Sequence, residues 1–191
     1  MENTPNLETT QTNETKKQKY TFTAMIFDVV SIFTTALVII AVLFTFVIRF
    51  VGVDGNSMVP TLNHGDWLVV SAITTEIENG DIVISTQPNS FNEPIVKRVI
   101  AKGGQEIDID FRTGDVYVDR VKIDEPYINA LTTTQEGVSF PLTVPEGKLF
   151  LMGDNRNDST DSRSPMVGCV DERYILGVVL FRLTPEFTKF N

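Results

Sequence analysis

The pattern of apolar and polar residues divides this chain into three parts. Residues 1–20 are polar and show no apolar periodicity, which predicts a segment without regular structure. Val29 to Ile48 is an uncharged run that lacks the polar face of a helix packed on a globular core. From residue 51 onward, short apolar runs alternate with turn residues, and no segment keeps a helical period.

The apolar run predicts a membrane anchor. Twenty helical residues span about 30 Å, the thickness of a bilayer core. The run is too long for the core of a cleavable signal peptide, and no small-x-small cleavage motif follows it. We therefore expect a polar tail at 1–24, a transmembrane anchor at 25–50 and a separate domain at 51–191.

The flanking charges predict the orientation of this anchor. Lys16, Lys17 and Lys19 precede it, whereas only Arg49 follows it closely before the acidic Asp54. Positively charged flanks stay in the cytoplasm. The N-terminal tail is therefore expected in the cytoplasm, and the domain after the anchor on the outer face of the membrane.

The outer domain has the pattern of an all-β fold. Its apolar runs are short and are bounded by turn signals such as Gly65-Asp66 and Gly80-Asp81. A further segment, Asp115 to Ile123, predicts a hairpin with Asp119-Arg120 at its turn. Together these signals predict a barrel or coiled antiparallel sheets. The remaining predicted strands are Trp67 to Ala72, Asp81 to Ser85, Ile95 to Ile100, Leu149 to Met152 and Ile175 to Arg182.

Composition excludes several classes of function. The formal net charge is −9, and a protein that binds nucleic acid needs a basic face, so no nucleic-acid partner is expected. A single cysteine, Cys169, excludes an intrachain disulfide, and an inert thiol is its ordinary interpretation. A single histidine, His64, excludes metal sites built from several histidines.

Serine chemistry is permitted by the segment just after the anchor. Ser57 lies between Gly55 and Pro60, which favour a rigid turn with an exposed hydroxyl, although a serine in such a context is usually only a turn residue. A serine nucleophile needs a base. His64 is seven residues away in a loop-like context that nothing orients, so a solvated histidine is the better interpretation.

A lysine is the alternative base. Lys97 lies in the apolar run Ile95 to Ile100, where burial lowers the pKa of an ammonium group. That pKa must fall from about 10.4 by roughly 2–3 units for Lys97 to act near neutral pH. The adjacent Arg98 has similar neighbours, but arginine does not deprotonate in proteins. An edge strand whose lysine reaches water remains the competing interpretation.

A dense polar segment follows the predicted strand Leu149 to Met152. Residues 153–163 contain three Asp, two Arg, two Asn and two Ser, which indicates an ordered charged network. The segment lacks the glycine and the glutamate of an EF-hand loop, so calcium binding is not expected.

Taken together, the segments GNSMVPTL at 55–62, VKRVI at 96–100 and GDNRNDSTDSR at 153–163 resemble type I signal peptidases. These are the serine proteases that remove signal peptides from exported proteins. GDWLVV at 65–70 and NGDIVI at 79–84 fit the same pattern. The resemblance runs from about residue 25 to residue 182.

The resemblance implies a role for each matching residue. Ser57 matches the nucleophile and Lys97 the general base, while Ser159 matches a serine that hydrogen-bonds and orients the lysine. The other matching residues are supporting ones, namely the charged pair Asp161 and Arg163, Met58 beneath the nucleophile and Gly55. In having a lysine as its base, the chain resembles the bacterial and organellar members of the family. Some members carry a serine at the Gly55 position, so the oxyanion here is expected to depend mainly on backbone N–H groups.

The implied protein is a serine endopeptidase in the plasma membrane of a bacterium. Its expected partners are the signal peptides of preproteins and the lipid bilayer, and it needs no metal or cofactor. Its expected fold is an all-β domain of coiled antiparallel sheets with a short second β region at about 108–143. The sequence leaves its oligomeric state open. A self-cleaving repressor protease would share the Ser–Lys chemistry, but it would need a DNA-binding domain and no membrane span, and this chain has the reverse. A non-catalytic, membrane-anchored relative that binds peptides or takes part in envelope assembly remains an alternative.

Overall fold

The computed structural model describes residues 7–73, 76–87 and 93–190, with side chains from residue 21 onward. The chain divides into two compact units, residues 1–45 and 46–191. The first unit is helical. The second is built almost entirely from β-strands, which confirms the predicted fold class.

The first unit is one long helix, α1, at Leu7–Phe46. Its part Thr21–Phe46 is long and apolar enough to cross a membrane. The apolar side chains of this part are exposed, with Phe33 73% accessible. Two of its polar side chains are satisfied within the helix, since the hydroxyl groups of Thr34 and Thr45 donate to backbone carbonyls four residues earlier.

Helix α1 corrects two predictions made from the sequence. Residues 7–20 are helical, although a segment without regular structure was expected; residues 1–6 lie outside the described part. No proline or glycine stands between residue 6 and Phe46, and extending an existing helix is far easier than starting one. The expected anchor also ran too far, because the helix ends at Phe46 and Ile48 begins a strand.

A large antiparallel sheet carries most of the second unit. Its strand order is β1-β2-β11-β3-β4-β9-β10, and β12 pairs with the far part of β11. Register shifts interrupt three of its pairings, and such irregularities bend and twist a sheet. The strands are β1 (Ile48–Gly52), β2 (Trp67–Ser71), β3 (Ile82–Ser85), β4 (Ile95–Lys102), β9 (Lys148–Met152), β10 (Val170–Asp171), β11 (Ile175–Thr184) and β12 (Thr188–Lys189).

A smaller sheet is formed by the intervening part of the chain. Its strand order is β7-β6-β5-β8, from β5 (Glu106–Asp110), β6 (Asp115–Val118), β7 (Val121–Lys122) and β8 (Leu142–Thr143). Asp119 and Arg120, between β6 and β7, have φ of 50° and 67°. Both angles are those of the tight hairpin turn, so the predicted turn is confirmed.

The sequence analysis missed the shortest and least apolar strands. β8, β10 and β12 have two residues each, too few for an alternating pattern to register. β5 reads Glu-Ile-Asp-Ile-Asp, in which acidic residues occupy the outer face while Ile107 and Ile109 are buried. β1 was merged with the anchor because its apolar residues continue the hydrophobic run.

The core of the second unit has three apolar clusters. One lies between the small sheet and the strands β4 and β9, with Phe150 at its centre. Another includes Met58, Leu62 and Leu68, and it packs beneath the turn that carries Ser57. The third holds the β4 residue Val99 among β9 side chains. β4 contributes to these clusters from within the sheet, which makes it a rigid support.

Candidate active site

Ser57 lies in a turn that two neighbouring segments hold in place. Gly55 has φ of +89°, a conformation that favours glycine, and it lets the chain reverse just before the serine. Met58 is 1% exposed and anchors the turn in the core. From the other side, the backbone N–H of Asn155 donates to the Ser57 carbonyl at 3.0 Å, and its side-chain amide donates to the Asn56 carbonyl at 3.1 Å.

Lys97 reaches this turn from an interior strand. β4 pairs with β3 through Val83, which is opposite Lys97, and with β9 from Arg98 onward. The side chain of Lys97 is 4% exposed, and its Nζ donates to Ser57 Oγ at 2.5 Å. The lysine is therefore neither on an edge strand nor directed to water, and the competing interpretation of the sequence is wrong.

The surroundings of Lys97 change its proton affinity. Burial lowers its pKa from 10.5 to about 8, because an ammonium group loses its hydration there. The negative charges of Asp161, Glu136 and Asp154 oppose this effect, and the positive charge of Arg163 adds to it. A substantial fraction of Lys97 is consequently neutral at mildly alkaline pH, which is the state of a base.

His64 is not directed at the serine hydroxyl. Its side chain is 68% exposed, and Nδ1 lies 3.1 Å from the exposed carboxylate of Asp54. The same atom accepts a hydrogen bond from the Gly55 N–H at 3.4 Å. The histidine thus belongs to the solvated side of the turn, as the sequence analysis expected.

The polar segment 153–163 is an ordered network around a buried ion pair. Arg163 and Asp161 are fully buried, and the guanidinium donates to both carboxylate oxygens at 2.8 Å. Asp161 also accepts from the Gly153 N–H at 2.9 Å and from the Ser159 hydroxyl at 2.8 Å. The resemblance led us to expect that Ser159 bonds Lys97, but among the described contacts its hydroxyl bonds Asp161.

A second buried pair joins the segments that carry the serine and the lysine. Arg98 donates to both oxygens of Asp154 at 2.8 and 2.7 Å. The Thr61 hydroxyl donates to the same carboxylate at 2.5 Å. Arg98 follows the candidate base directly, and Thr61 lies four residues after the candidate nucleophile. Asp154 therefore fixes the two segments relative to each other.

Known proteins that are similar to this chain are described as signal peptidases. The family model described as signal peptidase, peptidase S26, matches residues 26–184. Signal peptidase I of Bacillus amyloliquefaciens is 38% identical over 143 residues, which cover 70% of this chain and 72% of that protein. Signal peptidase IB of Staphylococcus aureus is 33% identical over 174 residues, which cover 82% and 87%. A signal peptidase I structure from Enterococcus faecalis has 27% identity and a TM-score of 0.47, covering 56% of this chain and 98% of that one.

This chain belongs to the peptidase S26 family of signal peptidases. It is accordingly a serine endopeptidase that acts on signal peptides. The family and the apolar helix together make it a bacterial protein anchored in a membrane.

The peptidase has a groove beside the candidate dyad, with a volume of about 470 Å³. Its lining includes Gly55, two residues before Ser57, and Val96, the neighbour of Lys97. The edge strand β1 borders it at Val51 and Gly52. Across the groove, the side of β4 that faces β9 is unpaired before Arg98, within the described register. Two strands thus border the groove, β1 on one flank and β4 on the other.

Several supporting residues of the peptidase were missed by the sequence analysis. Asp154, Asn155 and Arg98 all lie inside motifs that were noticed, but their partners are far along the chain. Asn155 holds a residue 99 positions away, and the Arg98–Asp154 pair spans 56. Only the high density of charge in residues 153–163 was a usable signal for them.

Proposed function

We propose that this peptidase cleaves signal peptides with a catalytic dyad of Ser57 and Lys97. The observation that carries the proposal is the 2.5 Å distance between Lys97 Nζ and Ser57 Oγ. Neutral Lys97 takes the hydroxyl proton while Oγ attacks the carbonyl carbon of the scissile bond. The resulting ammonium then protonates the leaving amine, which leaves an acyl-enzyme. A water molecule, deprotonated by the same lysine, hydrolyses the ester and restores the serine.

The oxyanion of the tetrahedral intermediate is assigned to backbone donors. Gly55 has no side chain to contribute. The N–H of Ser57 accounts for no hydrogen bond within the described part of the chain, which leaves it available to a developing charge. Preorganised N–H donors stabilise a developing negative charge in this way. We assign this role to the Ser57 N–H.

The groove supports a preference for small residues at positions −1 and −3. Alternate side chains of an extended peptide point to the same side, so these two face the enzyme together. Val51, Ile84 and Val96 line the groove with apolar branched side chains. We expect small apolar residues to fit between these walls better than long ones. This matches the small-x-small pattern at the ends of signal peptides.

The membrane anchor supports the proposal by placing the enzyme where it can meet its substrate. With Lys16, Lys17 and Lys19 in the cytoplasm, the second unit lies on the outer face, where signal peptides emerge. We assign the residues before the apolar part of α1 to a cytoplasmic segment and the second unit, which begins with β1, to the peptidase domain. Enzyme and substrate held in one bilayer meet at a high effective concentration.

Cleavage of a preprotein tests the dyad. The full chain in detergent is incubated with a preprotein, and release of the signal peptide is followed for Ser57→Ala, Lys97→Ala and the control Lys102→Ala. Lys102 ends the same strand, so its substitution is expected to keep cleavage close to the native rate. The two dyad variants are expected to lose at least about 1,000-fold in kcat/KM. Near-native cleavage by either dyad variant would refute the proposal.

A second substrate series tests the groove. Replacing the −1 or −3 residue of the preprotein by Leu is expected to lower kcat/KM at least tenfold, whereas Leu at −2 is tolerated because that side chain faces away. Equal tolerance at all three positions would refute the assignment of the groove.

A further inference from the structure

The carboxylates around Lys97 pair with arginines rather than with the lysine itself. Two carboxylates near it, Asp161 and Asp154, are fully buried, and each is bound through both oxygens by an arginine, Arg163 or Arg98. These two pairs are electrically neutral as units. Lys97 itself has no carboxylate within 4 Å among the described residues. Asp161 is the strongest of the charges that raise the Lys97 pKa, but the positive charge of its partner Arg163 opposes it.

One more carboxylate points into this cluster, that of Glu136. It comes from the segment that joins β7 to β8 of the small sheet, and its side chain is 15% exposed. Glu136 Oε1 lies 3.4 Å from Arg163 Nη2 and faces the backbone N–H of Asp161. The backbone on both sides holds it there, because the Thr134 carbonyl accepts from Arg163 Nη1 at 3.2 Å and the Val138 N–H donates to the Arg163 carbonyl at 3.0 Å.

Arg163 cannot neutralise Glu136 fully. Its two closest hydrogen bonds, both at 2.8 Å, go to Asp161, so the contact with Glu136 is the longer and weaker one. The cluster of Asp161, Arg163 and Glu136 then carries a net negative charge when Glu136 is ionised. Lys97 is the neighbouring cation that this charge attracts, and Glu136 is among the charges that act on it.

We propose that Glu136 is a positioning residue of the reaction, the anionic partner that sets how much of Lys97 is neutral at a given pH. The proposal rests on the Ser57–Lys97 dyad as the catalytic centre. Glu136 touches neither substrate nor the reacting atoms, so it acts only through the lysine. The two Asp–Arg pairs hold the geometry of the site, whereas Glu136 adjusts the charge of its base.

The sign of the effect follows from electrostatics. An ionised Glu136 favours the ammonium form of Lys97 and so raises the lysine pKa, against the larger effect of burial. Removing the charge leaves more of the lysine neutral at low pH. The neutral lysine also becomes a weaker base, which lowers the rate where all of it is already deprotonated. A variant without the charge should therefore be faster than the native enzyme in acid and slower in alkali.

The test is the pH dependence of kcat/KM for preprotein cleavage by the full chain in detergent. Glu136→Gln and Glu136→Ala are expected to move the midpoint of the acid limb down by at least about 0.5 pH unit, which raises kcat/KM about threefold at pH 6.5. Glu136→Asp keeps the charge and should stay close to the native midpoint. Two variants guard against a folding defect in one, since the backbone contacts of Thr134 and Val138 do not need the side chain.

The matched control is Glu125→Gln. Glu125 lies on the same segment and bonds another buried arginine, Arg156, at 2.5 Å. It is not among the charges with the largest effects on the Lys97 pKa. Its substitution should lower the unfolding temperature without moving the acid limb.

Two results would overturn the role of Glu136. One is an unchanged or higher midpoint in both uncharged variants. The other is a uniform loss of rate at every pH, which is what a merely structural residue would cause. Failure of the dyad itself is a separate result, because it would appear as activity retained by Lys97→Ala.

Discussion

Arg163 and Lys97 are both buried cations of one site, yet their charges are met in opposite ways. Arg163 is fully buried, and its guanidinium is bound through two hydrogen bonds to Asp161, with Glu136 nearby. Lys97 is 4% exposed, and within the described part of the chain its Nζ bonds the neutral hydroxyl of Ser57. Arg163 is held by ion pairs, whereas Lys97 forms no ion pair with a described carboxylate.

The difference separates the residues that hold the site from the residue that titrates. A guanidinium stays charged at every accessible pH, so it needs a permanent counter-charge and gives a permanent geometry. Burial lowers the pKa of Lys97, and because no carboxylate contacts it among the described residues, it can exchange its proton near neutral pH. Breaking an ion pair should therefore cost stability, whereas removing the unpaired lysine should cost only activity.

The largest expected effect comes from breaking the pair of Arg163. Asp161→Asn leaves a buried guanidinium without its main counter-charge, which typically costs about 3–5 kcal/mol. Urea unfolding of the full chain in detergent at pH 7 measures the change. Asp158→Asn, on the exposed side of the same segment, is the control and should stay within about 0.5 kcal/mol of the native protein. A loss below about 1 kcal/mol for Asp161→Asn would contradict the holding role of the pair.

Replacing Lys97 should change the free energy of unfolding in the opposite direction, towards greater stability. The Lys97 pKa falls from 10.5 when unfolded to about 8 when folded, so folding is disfavoured by up to about 3 kcal/mol wherever the lysine is charged in both states. That cost is fully present below pH 8 and disappears as the pH rises towards 10.5. Lys97→Met should thus be inactive but about 1–3 kcal/mol more stable at pH 6, with a smaller gain at pH 10.

The same urea measurements at pH 6, 8 and 10 check this prediction. Lys102→Met, at the half-exposed end of the same strand, is the matched control and should show no such pH dependence. A Lys97→Met variant that is less stable than the native chain at pH 6 would mean that the lysine is stabilised in place.

How much of the site follows from the sequence depends on the distance between partners along the chain. Ser57 and Lys97 could be singled out from the sequence. The order of the motifs identified Ser57, and Lys97 was preferred to Arg98 as the base because arginine does not deprotonate. Their predicted roles still await the cleavage assay. Asn155 and Glu136 could not be found in this way, since each meets its partner only through the folded sheet.

The fold was predictable where the apolar pattern was strong. The runs at Trp67, Ile95 and Leu149 became strands, with ends displaced by one or two residues. The end of the anchor was not predictable, because Val47 and Ile48 are as apolar as the helix before them. Only pairing of Ile48 with Ser71 assigns that stretch to the sheet. The partner of the Ser159 hydroxyl was also missed. The sequence pattern does not tell whether this hydroxyl bonds Lys97 or Asp161.

A smaller effect on stability is expected at Tyr127, which contacts Arg98 of the Arg98–Asp154 pair. The guanidinium carbon of Arg98 lies 4.0 Å from the centre of its ring. Tyr127→Leu removes this cation–π contact and should cost about 1–2 kcal/mol, while Tyr127→Phe keeps the ring and most of the stability. Urea unfolding measures both. Equal losses in the two variants would place the effect in the hydroxyl rather than in the contact with Arg98.

The smallest expected effect is at Gly55. Its φ of +89° is unfavourable for residues with a side chain, so Gly55→Ser should cost about 1 kcal/mol of stability although the space beside it is open. If the oxyanion depends on the backbone N–H of Ser57, the added hydroxyl should not raise kcat. An increase of tenfold or more would show that this chain lacks a donor that a side chain can supply.

The central claim is that Lys97 is a buried base whose proton is lost near neutral pH. The most direct measurement is an NMR titration of the Lys97 ammonium group in the full chain, labelled with ¹⁵N at lysine. The signal is assigned by its absence in Lys97→Met. The account predicts a midpoint near pH 8, well below the ordinary lysine value of 10.5. A midpoint above pH 10 would contradict it, because the lysine would then stay charged wherever the enzyme works.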